Sequence, residues 1–214
     1  MKIVINQIMR GKLIMDCAFC GIKACKNNEE NMAQNCPNNK KEELSKIKEI
    51  YQTEENFNIA KVAAELSVPQ GLTRIEETME FARRLGYKKL GLAFCNALSN
   101  EAKTIANIFK YHGFEVESIM CKVGSISREI VELEKSGMPM CNPVAQAKFL
   151  NEAKTDLNVV VGLCIGHDSL FFKYSEAPVT VLAVKDRILA HNPLGAVYLS
   201  ESAYKKKMYP PKEQ

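Results

Sequence analysis

The sequence predicts an α/β fold, a Rossmann-like, mostly parallel sheet of about four or five strands flanked by helices, with a cysteine-rich segment ahead of it. Three observations point there. Short aliphatic runs such as Val159-Val160-Val161 alternate with longer amphipathic stretches, the rhythm of parallel strands joined by crossover helices. The aliphatic runs carry no polar face, as expected of strands buried on both sides. The 214 residues suffice for one such domain and a small appendage.

In chain order, Met1-Lys2-Ile3-Val4-Ile5 reads as a short strand or a dispensable leader. Lys26 to Lys41 is rich in Asn, Glu and Lys and too polar to hold a core of its own, so something bound must order it. Residues 1–41 therefore form an N-terminal extension and a four-cysteine metal-binding segment. Residues 42–88 form a helical connector. Within it Glu42 to Tyr51 and Asn56 to Leu66 carry apolar residues at helical spacing. Pro69-Gln70-Gly71 breaks the pattern. Thr73 opens a third helix with Glu76 three residues on, a capping box, and Gly86 ends it.

Residues 89–204 form the α/β domain. Lys89 to Phe94 is a strand ending at Cys95, Asn100 to His112 a helix, and Phe114 to Met120 a strand ending at Cys121. Ser125 to Lys135 reads as a helix. Asn142 caps a helix with Pro143 in its first position, running to about Thr155. A third strand runs into Cys164, and Asp168 or Ser169 caps the helix Leu170 to Ser175. Pro178 to Val184 is the fourth strand, and a helix covers at most Leu194 to Tyr204. Residues 205–214 form a loose basic tail. No glycine-rich dinucleotide fingerprint and no Walker-type loop is present.

Composition excludes several classes. The formal charge is +4, and residues 1–41 hold the whole excess, with seven Lys or Arg against three acidic residues. That is too little and too local for nucleic acid. No apolar run approaches the roughly 20 residues that span a bilayer, so no membrane partner is expected. Met1 to Met15 lacks the apolar core and small-residue cleavage site of a signal peptide. Eight cysteines in a chain of long helical and strand patterns are metal ligands or reactive thiols in a reducing compartment, the cytoplasm, rather than a disulfide scaffold.

The cysteines fall into two sets. Cys17-x2-Cys20-x4-Cys25-x10-Cys36-Pro37 places four thiols within about twenty residues of polar chain, enough for a tetrahedral zinc ion or a [4Fe–4S] cube. The close clustering of the first three and the proline after the fourth favour iron–sulfur, although the spacing is not that of a ferredoxin. In the second set, Cys95, Cys121 and Cys164 each end a strand. A strand order of 2-1-3-4 makes these strands neighbours about 4.8 Å apart. Cys141, just before a capped helix, approaches the same edge, where α/β sheets bind ligands. A second [4Fe–4S] cluster or metal, or a set of reactive thiols, fits there. So do buried core cysteines, since cysteine packs as a small apolar residue. His167 and Asp168 are candidates for proton transfer, and Lys122 and Lys185 for holding an anionic substrate. Taken singly, Asp168 reads as a helix cap and Lys185-Asp186-Arg187 as a surface charge run.

The signatures Cys17-Ala18-Phe19-Cys20, Cys121-Lys122-Val123-Gly124, Cys141-Asn142-Pro143, Gly162-Leu163-Cys164-Ile165-Gly166-His167-Asp168, Lys185-Asp186-Arg187 and His191-Asn192-Pro193 resemble those of the family catalogued as domain of unknown function 1847. The resemblance runs from Cys17 to about Tyr198. It implies a metal-binding protein of prokaryotic, largely anaerobic type, and no known reaction. It begins near the first cysteine pair, so Met1 to Asp16 reads as an extension, consistent with a start at Met15.

Three functions follow as expectations. One is an iron–sulfur or other metal protein with redox or sulfur-related chemistry at the strand-end cysteines, acting on a small anionic substrate or redox partner. A second is a non-catalytic protein with one structural zinc site. A third is a transferase with Cys164 as nucleophile. The sequence leaves the substrate and the oligomeric state open.

Overall fold

A computed structural model describes residues 17–27, 31–68, 71–134 and 137–211. The predicted strand at Met1 to Ile5 lies outside them. The chain divides into two compact units, Met1–Lys61 and Val62–Gln214.

The first unit contains 3-10 turns at Cys17–Phe19 and Pro37–Asn39, helix α1 (Ala24–Asn27) and helix α2 (Lys41–Ile50). Helix α3 (Glu54–Leu66) contains the division between the units. Among the described residues of this unit only Ala24 is buried. That accords with a segment too polar to build an apolar core.

The second unit is a doubly covered sheet. Strands β1 (Lys89–Phe94), β2 (Glu115–Met120), β3 (Leu157–Val161) and β4 (Val179–Ala183) pair in the order β2-β1-β3-β4, all parallel. This is the order the strand-end argument requires. The helices are α4 (Arg74–Arg84), α5 (Ser99–Tyr111), α6 (Pro143–Glu152), α7 (His167–Tyr174), α8 (Leu194–Tyr198) and α9 (Lys205–Met208). The pleat sorts the strand residues onto two faces. Leu90, Leu92, Leu157, Val159 and Val161 pack with Met79, Ala82, Ala102 and Phe109 of α4 and α5. Ala93 and Val160 pack with Ala147, Leu150 and Phe171 of α6 and α7, and Cys95 and Cys121 belong to this second cluster. The cysteines therefore lie under α6 and α7.

Local chemistry sets the element ends. Glu76 accepts the Thr73 N–H at 2.8 Å, which fixes the start of α4. Asn142 accepts the Ala145 N–H at 3.1 Å and fixes the start of α6, with Pro143 following as expected. Gly91 is required where it stands, because a Cβ there would meet the buried Asn158 Oδ1 at 1.9 Å. Asn158 in turn accepts from the Thr155 hydroxyl and donates to the Ser175 hydroxyl, each at 2.8 Å. Its amide is thus satisfied inside the sheet layer.

Four sequence expectations change. The helix predicted over Ser125 to Lys135 is a single 3-10 turn, Arg128–Val131, closed by Glu132 at φ +59°. Ile130 and Val131 are exposed, so the apolar face that would stabilise a longer helix has nothing to cover it. β3 ends at Val161, because Gly162 at φ +61° turns the chain, and Cys164 lies three residues beyond the strand. α7 begins at His167, not Leu170. Gly166 at φ +81° lets the Cys164 carbonyl accept both the His167 and Asp168 N–H groups, so the cap is Gly166 and neither Asp168 nor Ser169. Finally, the last predicted helix, Leu194 to Tyr204 at most, covers only α8, and a separate helix, α9, falls within the basic tail expected to be loose. A Lys205–Glu201 ion pair at 3.6 Å and the Tyr204 N–H to Leu199 carbonyl bond at 3.0 Å fold this tail locally. No helix among the described residues is long and apolar enough to cross a membrane.

Candidate functional site

Cys95 follows β1 and Cys121 follows β2. The register pairs Phe94 with Met120, and the Cys121 N–H donates to the Phe94 carbonyl at 2.9 Å. The two cysteines therefore leave the sheet side by side. Cys141 arrives on the segment that leads into α6. The Asn142 N–H donates to the Cys121 carbonyl at 2.7 Å, which holds that segment against the end of β2. The Cys141 and Cys121 sulfurs stand 3.6 Å apart. Cys121 Sγ also accepts the Asn96 N–H at 3.3 Å, and Cys95 lies within hydrogen-bonding reach of Cys121. Three of the four cysteines predicted to converge thus do so.

Cys164 has a different partner. Arg187 Nη2 donates to its sulfur at 3.1 Å. Lys185, two residues earlier on the loop after β4, has its ammonium near enough to Cys95 to favour the thiolate. Its ammonium lies over Gly162, where a Cβ would come within 3.5 Å of Nζ. Asp186, between the two cations, accepts the Ile188 and Leu189 N–H groups at 2.9 and 2.8 Å. His191 Nδ1 accepts the Asp186 N–H at 3.1 Å. Asp186 and His191 thus build the loop, while Lys185 and Arg187 reach the sulfurs. From sequence alone this triplet reads as a surface charge run, with Arg187 given no role of its own. The readable signal is a pair of cations two residues apart directly after a strand.

The thiols differ in acidity. Burial raises the Cys95 thiol, but the Ala97 N–H, the Lys185 ammonium and the Cys121 contact together hold it below its ordinary value. For Cys121, 2 % exposed, burial dominates and, with the neighbouring Cys141 and Cys95, pushes it up to about 12 despite the Asn96 N–H. Of the two thiols, Cys95 ionises the more readily.

The other predicted site residues sort themselves by contact. Lys122 donates from its ammonium to the Pro139 carbonyl and ties down the chain before Cys141. His167 is half-buried at the first position of α7, beside Asp168, whose Oδ1 accepts the Ser169 N–H at 2.7 Å. Gln146 of α6, fully buried, is absent from the sequence argument. Its amide donates to the Ile119 and Phe94 carbonyls at 2.7 and 3.3 Å and so ties α6 to the ends of β2 and β1. Nothing in the sequence marks it except its place in the first turns of a capped helix.

In the first unit, Cys17, Cys20 and Cys36 line one concavity of about 210 Å³ together with Phe19, Ile22 and Pro37. Cys20 Sγ accepts the Lys23 N–H at 3.4 Å, and the Cys36 thiol donates to Met32 Sδ at 3.9 Å. Cys25, exposed on α1, is not part of that lining.

The two sets differ in how they suit a metal. Among the described residues no three His, Cys, Asp or Glu side chains are arranged to hold an ion as they stand. The donors present, thiols with backbone N–H groups aimed at sulfur in both sets, are of the type that soft metals take. At the sheet edge the Cys121–Cys141 separation of 3.6 Å is close to the roughly 3.8 Å edge of a tetrahedron with metal–sulfur bonds of about 2.3 Å.

Comparison with known proteins adds relatives without adding a reaction. The chain is 46% identical over 190 residues to the uncharacterised protein MJ0455 of Methanocaldococcus jannaschii, a match covering 86% of this chain and 94% of that protein. No solved structure matches. A family model matches residues 36–182, which include Cys36, Cys95, Cys121, Cys141 and Cys164 and end three residues before Lys185. The chain belongs to the family described as protein of unknown function DUF1847.

Proposed function

We propose that this chain is a thiolate metal-binding protein with redox or sulfur-handling chemistry, centred on the sheet edge where Cys95, Cys121 and Cys141 meet. One observation carries the reading. The Cys141 sulfur, brought from a separate segment, stands 3.6 Å from that of Cys121, as two thiolates on one ion do. Two sulfurs this close suit a shared ion better than two corners of a cube, whose irons hold their thiolates apart. Cysteines retained only as small core residues would have no need of the Lys185 ammonium and the Asn96 N–H at their sulfurs.

In this reading Cys17, Cys20, Cys25 and Cys36 hold the second centre, a [4Fe–4S] cluster or a zinc ion. An iron–sulfur group would supply electron transfer and a zinc ion a structural cross-link. Lys185 and Arg187 make the sheet edge cationic and suit it to a small anionic substrate or an acidic redox partner. His167, at the start of α7 with Asp168 beside it, is the proton carrier. The Arg187–Cys164 contact at 3.1 Å favours one second reading, a transferase in which Cys164 is the nucleophile.

Anaerobic purification with an absorption spectrum and analysis for iron, zinc and sulfide tests both centres. The expected result is metal at more than one site per chain, with Cys121→Ala and Cys141→Ala each lowering the content without emptying the N-terminal centre. Full metal content in both variants would sink the sheet-edge centre. Rapid alkylation of Cys164 alone in the metal-free protein would favour the transferase.

A further inference from the structure

The sulfurs of Cys121 and Cys141 belong to residues 20 positions apart, yet they are in contact. The backbone between them is closed at its neck by four bonds. The Asn142 N–H meets the Cys121 carbonyl at 2.7 Å, and the Asn142 side-chain amide meets the Val123 carbonyl at 3.3 Å. The Met140 N–H meets the Ile126 carbonyl at 3.0 Å, and the Lys122 ammonium meets the Pro139 carbonyl. These bonds do not involve the sulfurs. They hold the two thiols together whether or not anything is bound between them, so a covalent link would require little further loss of chain freedom.

Access is unequal. Cys141 is half-buried, whereas Cys121 is 2 % exposed. A reagent from solution therefore meets Cys141 first, and Cys121 is placed to resolve what forms there. Cys95 also lies near Cys121, but it is itself buried at 8 % exposure, so a reagent from solution reaches Cys141 ahead of it.

We propose that Cys121 and Cys141 are a dithiol–disulfide couple, closing reversibly in the metal-free chain with a low-molecular-weight disulfide as oxidant. The Cys141 thiolate attacks one sulfur of the disulfide RSSR, forms a mixed disulfide and releases RS⁻, which takes up the proton lost by Cys141. Cys121 then attacks the Cys141 sulfur, forms the protein disulfide and expels the second RS⁻, which takes the Cys121 proton. The protein loses two electrons and two protons, and RSSR becomes two RSH. The link removes two of the three thiols at the sheet edge and so closes that edge to a thiophilic ligand. The couple stands on the sulfur pair and its neck and does not depend on the metal reading.

The test uses the full chain, rendered metal-free and checked by elemental analysis, titrated with oxidised glutathione. Remaining thiols are alkylated and the peptides mapped by mass spectrometry. The expected result is a Cys121–Cys141 linked peptide with loss of both thiols to alkylation, reversed by dithiothreitol. In Cys141→Ser, with its fold checked by circular dichroism, Cys121 should stay alkylatable on denaturation after the same treatment. Two outcomes overturn the proposal. One is a wild-type chain in which Cys121 remains a thiol after the Cys17, Cys20, Cys25 and Cys36 thiols are consumed. The other is a Cys95–Cys121 link in place of the Cys121–Cys141 link. Metal content of the untreated protein is measured separately, so failure of the couple and failure of the metal centre are distinguishable.

Discussion

Arg187 donates from Nη2 to the Cys164 sulfur at 3.1 Å, and Lys185, two residues before it on the loop after β4, places its ammonium where it favours the Cys95 thiolate. The two cysteines follow different strands, β3 and β1. Alternating side chains on one short loop thus gather two strand ends under two positive charges. Near Cys95 the cation helps the thiol give up its proton, and that is the property a metal ligand, a redox thiol and a nucleophile share.

Burial alone would raise the Cys95 thiol, and the Ala97 N–H and then the Lys185 ammonium are among the groups that hold it low. Lys185→Met therefore moves the onset of Cys95 alkylation by iodoacetamide to higher pH in the metal-free protein. At pH 8 the rate at Cys95 should fall roughly tenfold, the size expected for loss of one close opposite charge. Arg187→Gln is the control and should leave the Cys95 profile in place. An unchanged profile in Lys185→Met would remove the ammonium from the account.

Asp186 acts on the same thiol at one remove. Its carboxylate caps the Ile188 and Leu189 N–H groups and keeps the loop in shape. Asp186→Ala should cost about 1 kcal/mol in urea unfolding, the scale of a lost capping bond. It should also shift the Cys95 profile in the direction of Lys185→Met, because the ammonium is no longer held over Gly162. Loss of stability with an untouched Cys95 profile would make Asp186 purely structural.

Lys122 is expected from sequence to bind an anion, but its ammonium is on the Pro139 carbonyl. Lys122→Met should therefore loosen residues 123–140. Hydrogen exchange at the Met140 amide should quicken, and the Cys121–Cys141 link should form more slowly at a fixed glutathione disulfide concentration. Unchanged exchange in that segment would show that the Lys122 bond contributes nothing to the neck.

The sheet was legible because each strand is an aliphatic run of strand length and each crossover an amphipathic one. The right-handed connection rule then leaves few ways to order them. Cys95 and Cys121 could be placed because they directly follow such runs. Cys164 could not be placed as well, because Gly162 at φ +61° ends β3 early and nothing in the run Val159-Val160-Val161 announces it. The helix expected over Ser125 to Lys135 failed for a tertiary reason. Ile126, Ile130 and Leu133 recur at helical spacing, but Ile130 and Leu133 are exposed, and periodicity does not report what lies opposite. Arg187 escaped because a side chain's partner across a sheet edge is set by the loop that carries it, here the Asp186–His191 turn.

Gly162 ties these features together and gives the sharpest stability prediction. It sits at φ +61°, and a Cβ there would stand 2.3 Å from Leu98 Cδ1 and 3.5 Å from Lys185 Nζ. Leu98 belongs to the core under α4 and α5, so it cannot give way cheaply. Gly162→Ala should destabilise the fold by roughly 1–3 kcal/mol from backbone strain alone, with the Leu98 clash adding to it. The same methyl only touches the Lys185 ammonium at an ordinary van der Waals distance, so the Cys95 alkylation profile should stay in place. Leu98→Ala in the Gly162→Ala background should relieve the clash and leave the backbone strain. The double variant then separates these two contributions, and a Cys95 profile that moves in Gly162→Ala would show that Gly162 shapes the thiol site as well as the core.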